Sequence, residues 1–202
     1  MAIDLTQTQL FDKKGLFRII RSGMSGNNAL EIRPATFDDL QDIAAIHVKV
    51  WQQAYIGQVP QVYLDGLDVK ARRQKWEELF SGQAAEDKNL YLALQGGKPV
   101  GFVSFGRSRD DPKQGEIYAI YVLQEAWGDG VGYALFKAAI QDLQKDGYQV
   151  AHLWVLDTNK KAIQSYAKWG GTVDNQPVKN ANIGGKLIKE VAVTFRSVPI
   201  GV

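Results

Sequence analysis

The chain has 202 residues, of which 45% are apolar and 23% charged, and its formal net charge is +2. This composition is typical of a soluble globular domain with a substantial core, and the small net charge does not favour binding to nucleic acid. The absence of cysteine excludes disulfides and a cysteine nucleophile, and no apolar run is long enough to span a membrane. We therefore expect a cytoplasmic protein that holds no metal and has neither a nucleic-acid nor a membrane partner.

The first 28 residues show no sustained apolar period, unlike the rest of the chain. One interpretation is an extension ahead of a natural start at Met24, which is followed by Ser-Gly-Asn-Asn. The other is a short basic amphipathic segment, Lys13 to Arg21, that docks on a surface. In both cases we expect residues 1–28 to lie outside the core and residues 29–202 to form one domain.

Apolar periodicity predicts the elements of the first half of that domain. They are a strand at residues 29–35, a helix at 36–55, a helix at 69–80 and a β-hairpin at 89–108. Thr36 and Asp39 have nearly the spacing of a capping box at the start of the first helix. A loop joins the two helices, and Gly96-Gly97 suits the turn of the hairpin.

The second half alternates strands and helices. The predicted elements are a strand at residues 115–122, a helix that ends near Lys145, a strand at 149–157, a helix at 159–169 and a strand at 185–196. Gly147 is placed to cap the first of these helices, and Gly170-Gly171 to stop the second. The order of elements predicts an α+β domain built on one mixed sheet.

Three glycines separate the strand at 115–122 from the helix after it. Gly128, Gly130 and Gly132 do not fit a Walker loop or a Rossmann fingerprint, because Tyr133 stands where each motif requires another residue. What remains is a glycine turn at a helix N-terminus, where backbone N–H groups and partial positive charge suit a diphosphate. A glycine-rich turn without a ligand is the alternative.

At this point the sequence resembles a known family. The segment "YVLQEAWGDGVGYALF" is similar to the acyl-CoA-binding motif of the GNAT superfamily of N-acetyltransferases, Q/R-x-x-G-x-G/A. Gly130 and Gly132 match the two small positions, and Trp127 stands where the family prefers Gln or Arg. "NKKAIQSYAKWGG" is similar to the family's segment after the fifth strand, and the ordered likeness covers roughly residues 29–196.

The resemblance implies the fold and the cofactor. The fold is a twisted, mostly antiparallel sheet flanked by helices and split into a V between its fourth and fifth strands, with acetyl-CoA in the cleft. The pantetheine arm would pair with the strand edge, the diphosphate would lie on the glycine turn, and Trp127 would weaken cofactor binding without abolishing it. The implied cofactor residues are Ile120, Tyr121, Val122, Trp127, Gly128, Asp129, Gly130, Val131, Gly132, Tyr133 and Asn159.

The resemblance also implies the groups that do the chemistry. Acetyl transfer needs a neutral amine, and deprotonating an amine with a pKa of about 10.4 costs about 4–5 kcal/mol at pH 7. Tyr166 is the expected acid toward the CoA sulfur and Glu116 the expected base, with direct attack in a ternary complex. As alternatives, Tyr166 is a core aromatic residue, Asn159 a helix N-cap and Glu116 an exposed strand-end carboxylate. Asp157 is a rival base.

Other polar residues have plainer interpretations. We expect His47 and His152 to be packing residues, and Asp110 and Asp111 to lie in a solvated loop.

The loop after the first helix is expected to select the acceptor. It supplies Trp51, Gln52, Tyr55 and Tyr63 for a cleft wall, although Trp51 and Tyr55 also fit the core face of the helix. The sequence thus predicts an acetyl-CoA-dependent N-acetyltransferase for the primary amine of a small molecule, as a monomer or homodimer. The alternatives are a protein or peptide N-acetyltransferase, and a CoA-binding regulatory module without turnover.

Overall fold

A computed structural model of the protein describes residues 7–11, 17–21, 29–81 and 88–196. These residues form one nine-stranded sheet in the order β1-β2-β3-β4-β5-β6-β7-β9-β8. The strands are β1 Gln7–Phe11, β2 Phe17–Arg21, β3 Leu30–Pro34, β4 Lys88–Gln95, β5 Lys98–Arg107, β6 Gly115–Val122, β7 Val150–Leu156, β8 Thr172–Ile183 and β9 Lys186–Arg196. All neighbouring strands are antiparallel except β6 and β7, which are parallel.

Five α-helices are described around the sheet. They are α1 Leu40–Ala54, α2 Gln61–Asp65, α3 Val69–Ser81, α4 Val131–Lys145 and α5 Lys160–Lys168. Helices α1 and α3 cover one core, around Ile43, Trp76 and Phe102. On the other core, α4 and α5 pack around Leu135 and Phe195. Within the described residues, no helix combines the length and the apolar composition that crossing a membrane requires.

The predicted capping box at the start of the first helix is confirmed. The backbone N–H of Thr36 donates to the Asp39 carboxylate at 2.7 Å and its hydroxyl donates at 2.9 Å. Arg33 donates to both oxygens of the same carboxylate at 2.7 Å. This guanidinium holds the pKa of Asp39 down at about 2, so a charged pair fixes the strand β3 to the beginning of α1.

The predicted split in the sheet is also confirmed, between the fourth and fifth strands that follow residue 29. These strands, β6 and β7, pair only from Gly115–Ala151 to Ile117–Leu153. Just beyond, the register of β6 against β5 shifts, and such a bulge bends its strand. Residues 119–122 therefore pair with β5 on one side, and their other backbone edge borders the opening between β6 and β7.

Four elements were not predicted from the sequence. Strands β1 and β2 extend the sheet beyond β3, where the sequence shows no period. Helix α2 lies where a loop was expected. Strand β8 was missed because its sequence, "TVDNQPVKNANI", is mostly polar; in the described sheet β8 is an edge strand beside β9, so a polar sequence suits it. The domain boundary at residue 28 stays a prediction.

Candidate active site

A cleft of about 2050 Å³ opens where β6 and β7 separate. Its walls come from α1, β6, α4, β7, α5, β8 and β9. Pockets for small ligands are usually about 300–1,000 Å³. The cleft therefore has room for a large cofactor and a second molecule side by side.

The glycine turn forms one end of the cleft. Gly128 and Gly130 have φ angles of 90° and 81°, in the left-handed region that glycine adopts without strain. Gly130 is the N-cap of α4, and the amide of Ala134 donates back to the Gly130 carbonyl at 3.0 Å. The amides of the first turn before it have no partner within the helix, so this end of α4 suits an anionic group.

Every residue predicted to contact the cofactor lies on the cleft wall. These residues are Ile120, Tyr121, Val122, Trp127, Gly128, Asp129, Gly130, Val131, Gly132, Tyr133 and Asn159. Residues 119–122 present the open strand edge, along which an extended chain could add as a further strand. The donors and the edge fit the diphosphate and the pantetheine of CoA.

Trp127 stands where the resembling family prefers glutamine or arginine, and it makes two contacts beside the glycine turn. Its indole N–H donates to the Val122 carbonyl at 2.9 Å, and the Lys161 ammonium lies 3.9 Å from the centre of its ring. A cation–π contact of this kind keeps a positive charge beside the turn. Four lysines that the sequence analysis did not single out line the cleft from α4 and α5: Lys137, Lys160, Lys161 and Lys168. Their charge suits the phosphates of CoA.

Tyr166 lies on α5 at the cleft and is only 9% exposed. Its ring packs against Trp169, with ring centres 5.4 Å apart. Burial raises the pKa of Tyr166 well above its usual value, so the hydroxyl stays protonated at neutral pH. Asn159 accepts the Ala162 amide at 3.2 Å and caps α5. Tyr166 thus packs as a core aromatic and also borders the cleft, and Asn159 does cap its helix while lining the cleft.

Glu116 is fully buried, so the interpretation of an exposed strand-end carboxylate is wrong. The backbone N–H of Arg109 donates to Oε2 at 3.0 Å, and the Arg109 Nε lies 3.2 Å from both carboxylate oxygens. This pair raises the pKa of Arg109. Both oxygens of Glu116 already accept hydrogen bonds from a cation, and its role as the base stays a prediction.

The part of the cleft predicted to hold the acceptor, called the acceptor side below, carries two of the four residues predicted for it. Trp51 and Tyr55 line the wall, with ring centres 4.9 Å apart, and the Trp51 indole N–H donates to the Tyr121 hydroxyl at 3.0 Å. Gln52 and Tyr63 are not on the wall. The Gln52 amide donates to the Leu64 carbonyl at 3.1 Å, and Tyr63 packs under the β8–β9 turn at Gly184.

A polar network joins the β5–β6 loop to the far wall. Asp110 accepts from Lys179 at 2.6 Å and from the Trp154 indole at 2.9 Å, and the His152 Nε2 lies 3.6 Å away. The loop was expected to be solvated, yet Asp110 ties it to β7 and β8. Sequence reasoning missed Lys179, Trp154 and Arg109 because they are far apart in the chain.

The network does not fit a metal ion. One ligand atom each from Asp110, Glu116 and His152 lies within 4.8 Å of the others. However, Lys179 and Arg109 already neutralise the two carboxylates, which removes the negative charge that would attract a cation.

His47 packs among aromatic rings. Its ring centre is 4.9 Å from that of Tyr121 and 5.9 Å from that of Trp76. Burial lowers the pKa of His47 to about 3, so the imidazole is neutral and a very weak base at physiological pH. This environment agrees with the expectation of a packing residue.

Comparisons with known proteins agree with this geometry. Residues 50–171 match the acetyltransferase (GNAT) family. The chain is 32% identical to the uncharacterized N-acetyltransferase YuaI of Bacillus subtilis, over 80% of this chain and 90% of that protein. It is 33% identical to an uncharacterized N-acetyltransferase of Archaeoglobus fulgidus, over 68% and 90% of the two chains.

Solved structures share the fold. The PaiA N-acetyltransferase of Thermoplasma acidophilum, in complex with coenzyme A, has a TM-score of 0.64 at 21% identity over 83% of this chain and 98% of that one. The YncA protein of Salmonella typhimurium, with acetyl-CoA, has a TM-score of 0.63 at 20% identity over 87% and 98%. The chain belongs to the GNAT family of acetyltransferases. The predicted family, the enzyme class and acetyl-CoA as the family's cofactor are thereby confirmed.

Proposed function

We propose that the protein transfers the acetyl group of acetyl-CoA to the primary amine of a small molecule, by direct attack in a ternary complex. One observation carries the choice of a small acceptor: the acceptor side of the cleft is bridged. The loop after α1 contacts the β8–β9 hairpin, which closes the side on which an extended peptide would have to lie.

The bridge has polar and apolar parts. The backbone carbonyl of Gln58 accepts from the Lys186 ammonium at 3.0 Å, and its side-chain oxygen accepts from the Thr158 hydroxyl at 2.8 Å. Beneath these contacts, a buried cluster joins the loop after α1 and helix α2 to the strands β7 and β9, through Val59, Leu64, Leu156 and Ile188. A peptide acceptor would have to displace this cluster, whereas a compact amine would reach the cleft without doing so.

The chain's own residues divide the work of the reaction. Acetyl-CoA supplies an activated acetyl group. The turn at the start of α4 and the lysines of the cleft would hold the phosphates of its CoA part. Tyr166, kept protonated by burial that raises its pKa, would donate to the departing sulfur. The aromatic residues Trp51, Tyr55 and Tyr121 would shield the acceptor from water, which strengthens each electrostatic contact inside the cleft.

A thiol-release assay tests this proposal. The purified protein is given acetyl-CoA with a panel of small primary amines and, separately, with peptides that carry a free N-terminus or a lysine. The chain has no cysteine, so the thiol reagent reports CoA alone. We expect turnover of small amines with kcat/KM at least tenfold above that of any peptide. A peptide that reacts faster would overturn the choice of a small acceptor, and CoA binding without any turnover would favour the regulatory module.

A further inference from the structure

A second glutamate borders the cleft and has no partner within the described part of the chain. Glu190 lies on β9, opposite Lys179 of β8 and Leu156 of β7, and its half-buried side chain lines the cleft. Among the described residues, no group donates a hydrogen bond to its carboxylate or forms an ion pair with it. Burying an unpaired charge is costly, and a cationic ligand would supply the missing partner.

The lysine opposite Glu190 is directed elsewhere. The Lys179 ammonium lies 2.6 Å and 2.7 Å from the two oxygens of Asp110 and 4.2 Å from the centre of the Trp154 ring. These contacts point it toward the β5–β6 loop. Glu190 therefore has neither a hydrogen bond nor an ion pair with Lys179, although the two residues are cross-strand neighbours.

Glu116 and Glu190, the two glutamates of the cleft, differ in the partners of their carboxylates. Arg109 surrounds the carboxylate of Glu116, which must lose that pairing before it can take a proton. Glu190 has no such competitor among the described residues. By geometry, Glu190 is the carboxylate free to contact an amine.

Two tyrosines line the same cleft as Glu190, Tyr55 and Tyr121. Burial raises the pKa of both Tyr55 and Tyr121, and the negative charge of Glu190 adds to the rise. The Trp51 indole N–H donates a hydrogen bond to the Tyr121 hydroxyl, so the side chains of Trp51 and Tyr121 lie beside one another. A cleft lined by a carboxylate and by aromatic rings can bind an ammonium ion, through charge and cation–π contact.

The protonation of Glu190 is set by groups on several elements. These are Lys179 on β8, Arg109 on the β5–β6 loop and Glu116 on β6. In turn, the charge of Glu190 acts on Tyr121 of β6 and on Tyr55 after α1. Burial and the charge of Glu116 raise the pKa of Glu190, whereas Lys179 and Arg109 oppose the shift, and the net direction is upward. A base whose pKa moves toward the working pH is better matched to proton transfer.

We propose that Glu190 binds the ammonium group of the acceptor and takes its proton, and that the pocket selects primary amines with no carboxylate beside the nitrogen. This inference rests on the proposed function. Glu190 accepts one ammonium proton. The amine nitrogen then bonds to the acetyl carbon as the carbon–sulfur bond breaks, and the second proton that the nitrogen loses leaves with the sulfur, by way of Tyr166, as the thiol of CoA.

The selectivity follows from the local charges. The pairs Arg109–Glu116 and Lys179–Asp110 each sum to zero, which leaves Glu190 as the carboxylate on this part of the cleft wall that has no ion pair among the described residues. An ammonium group is attracted to it, whereas the carboxylate of an amino acid would be repelled at short range.

The test compares matched acceptors and matched variants. The acceptors are 2-phenylethylamine against phenylalanine and tyramine against tyrosine, pairs that differ only in the carboxylate. We expect kcat/KM for each amine to exceed that of its amino acid at least tenfold. Glu190→Gln should lower kcat/KM for the amines by about 100-fold or more at pH 7, the typical contribution of a general base, and should abolish the rise of the rate with pH on its acid side.

Further variants separate a base from a structural residue. Glu190→Asp keeps a carboxylate and should keep the acid-side rise at intermediate activity. Glu78→Gln makes the same chemical change on the exposed face of α3 and should leave the rate unchanged. By calorimetry, 2-phenylethylamine should bind the CoA-loaded Glu190→Gln variant at least tenfold more weakly than the CoA-loaded native protein, while CoA itself binds equally well.

The outcomes separate a failure of Glu190 from a failure of the proposed function. If the native protein acetylates small amines and Glu190→Gln keeps its rate and pH profile, the role of Glu190 is wrong and the proposed function stands. Loss of the acid-side rise in Glu116→Gln alone would lead to the same conclusion. Equal rates for amines and amino acids would overturn the selectivity. If only peptides react, the proposed function fails, and the same Glu190 variants measured with the peptide decide the base; no turnover with any acceptor overturns both.

Discussion

The two sides of the cleft are built from different parts of the chain. The side that we propose for the cofactor, called the cofactor side, is formed largely by one continuous stretch, residues 119–133. It offers backbone groups: a strand edge and the first amides of α4. The acceptor side is formed by side chains that come from α1, the β5–β6 loop, β8 and β9. The cofactor side should therefore be sensitive to backbone conformation, and the acceptor side to single functional groups.

Among the effects that follow, the largest is expected on the backbone of the cofactor side. Gly130 has φ +81°, and an alanine in the left-handed region costs about 1–2 kcal/mol. Gly130→Ala should turn the amides away from the diphosphate and weaken CoA binding at least tenfold, measured by calorimetry. Gly147 is a matched control, because it has φ +93° just after the other end of α4 and an added Cβ would have no neighbour within 4 Å. Gly147→Ala should lose similar stability and keep full CoA affinity; equal loss of affinity in both variants would exclude a direct role for the turn.

The next effect concerns one hydroxyl. Tyr166→Phe keeps the ring packed on Trp169 and removes only the donor. We expect kcat to fall about tenfold, which corresponds to about 1.4 kcal/mol of transition-state stabilisation, with little change in Tm or CoA affinity. Tyr148→Phe, at a partly buried site behind α4, is the control and should leave kcat unchanged. Full kcat in Tyr166→Phe, measured where chemistry limits the rate, would mean that another group protonates the sulfur.

A smaller effect is expected at the aromatic part of the acceptor side. Tyr55→Phe removes a hydroxyl that lies near Tyr121 and whose pKa is raised in part by the charge of Glu190. The loss of one hydrogen-bonding group is worth about 1 kcal/mol, so the acceptor KM should rise about fivefold while CoA affinity stays the same. If Tm drops sharply and KM does not move, Tyr55 supports the core and not the acceptor.

The difference between a cofactor side built from one continuous stretch and an acceptor side built from separate elements also explains what the sequence could predict. The glycine turn, the strand before it and the helix after it are adjacent in the chain, so local signals at Gly128, Gly130 and Gly132 indicated both the element and its ligand chemistry. Glu190 gave no such signal, because it is one charged residue in an alternating strand. Its lack of a partner among the described residues depends on Asp110 holding Lys179, a contact across 69 residues.

The smallest expected effect is on thermal stability, and it tests whether the carboxylate of Glu190 is ionised without a partner on the acceptor side. Burial raises the pKa of Glu190, so the unfolded chain accommodates the ionised carboxylate better than the native protein does. The resulting loss of stability is present above the native pKa of Glu190 and disappears as the pH falls below the pKa of the unfolded chain. Glu190→Gln should therefore melt at a higher temperature than the native protein at pH 8, and the difference should shrink toward zero at pH 4.

Glu78→Gln is the control and should stay close to the native Tm throughout, as surface substitutions usually do. A Glu190→Gln variant that is less stable than the native protein at pH 8 would show that Glu190 has a stabilising partner, and the acceptor side would then hold no free negative charge for an amine.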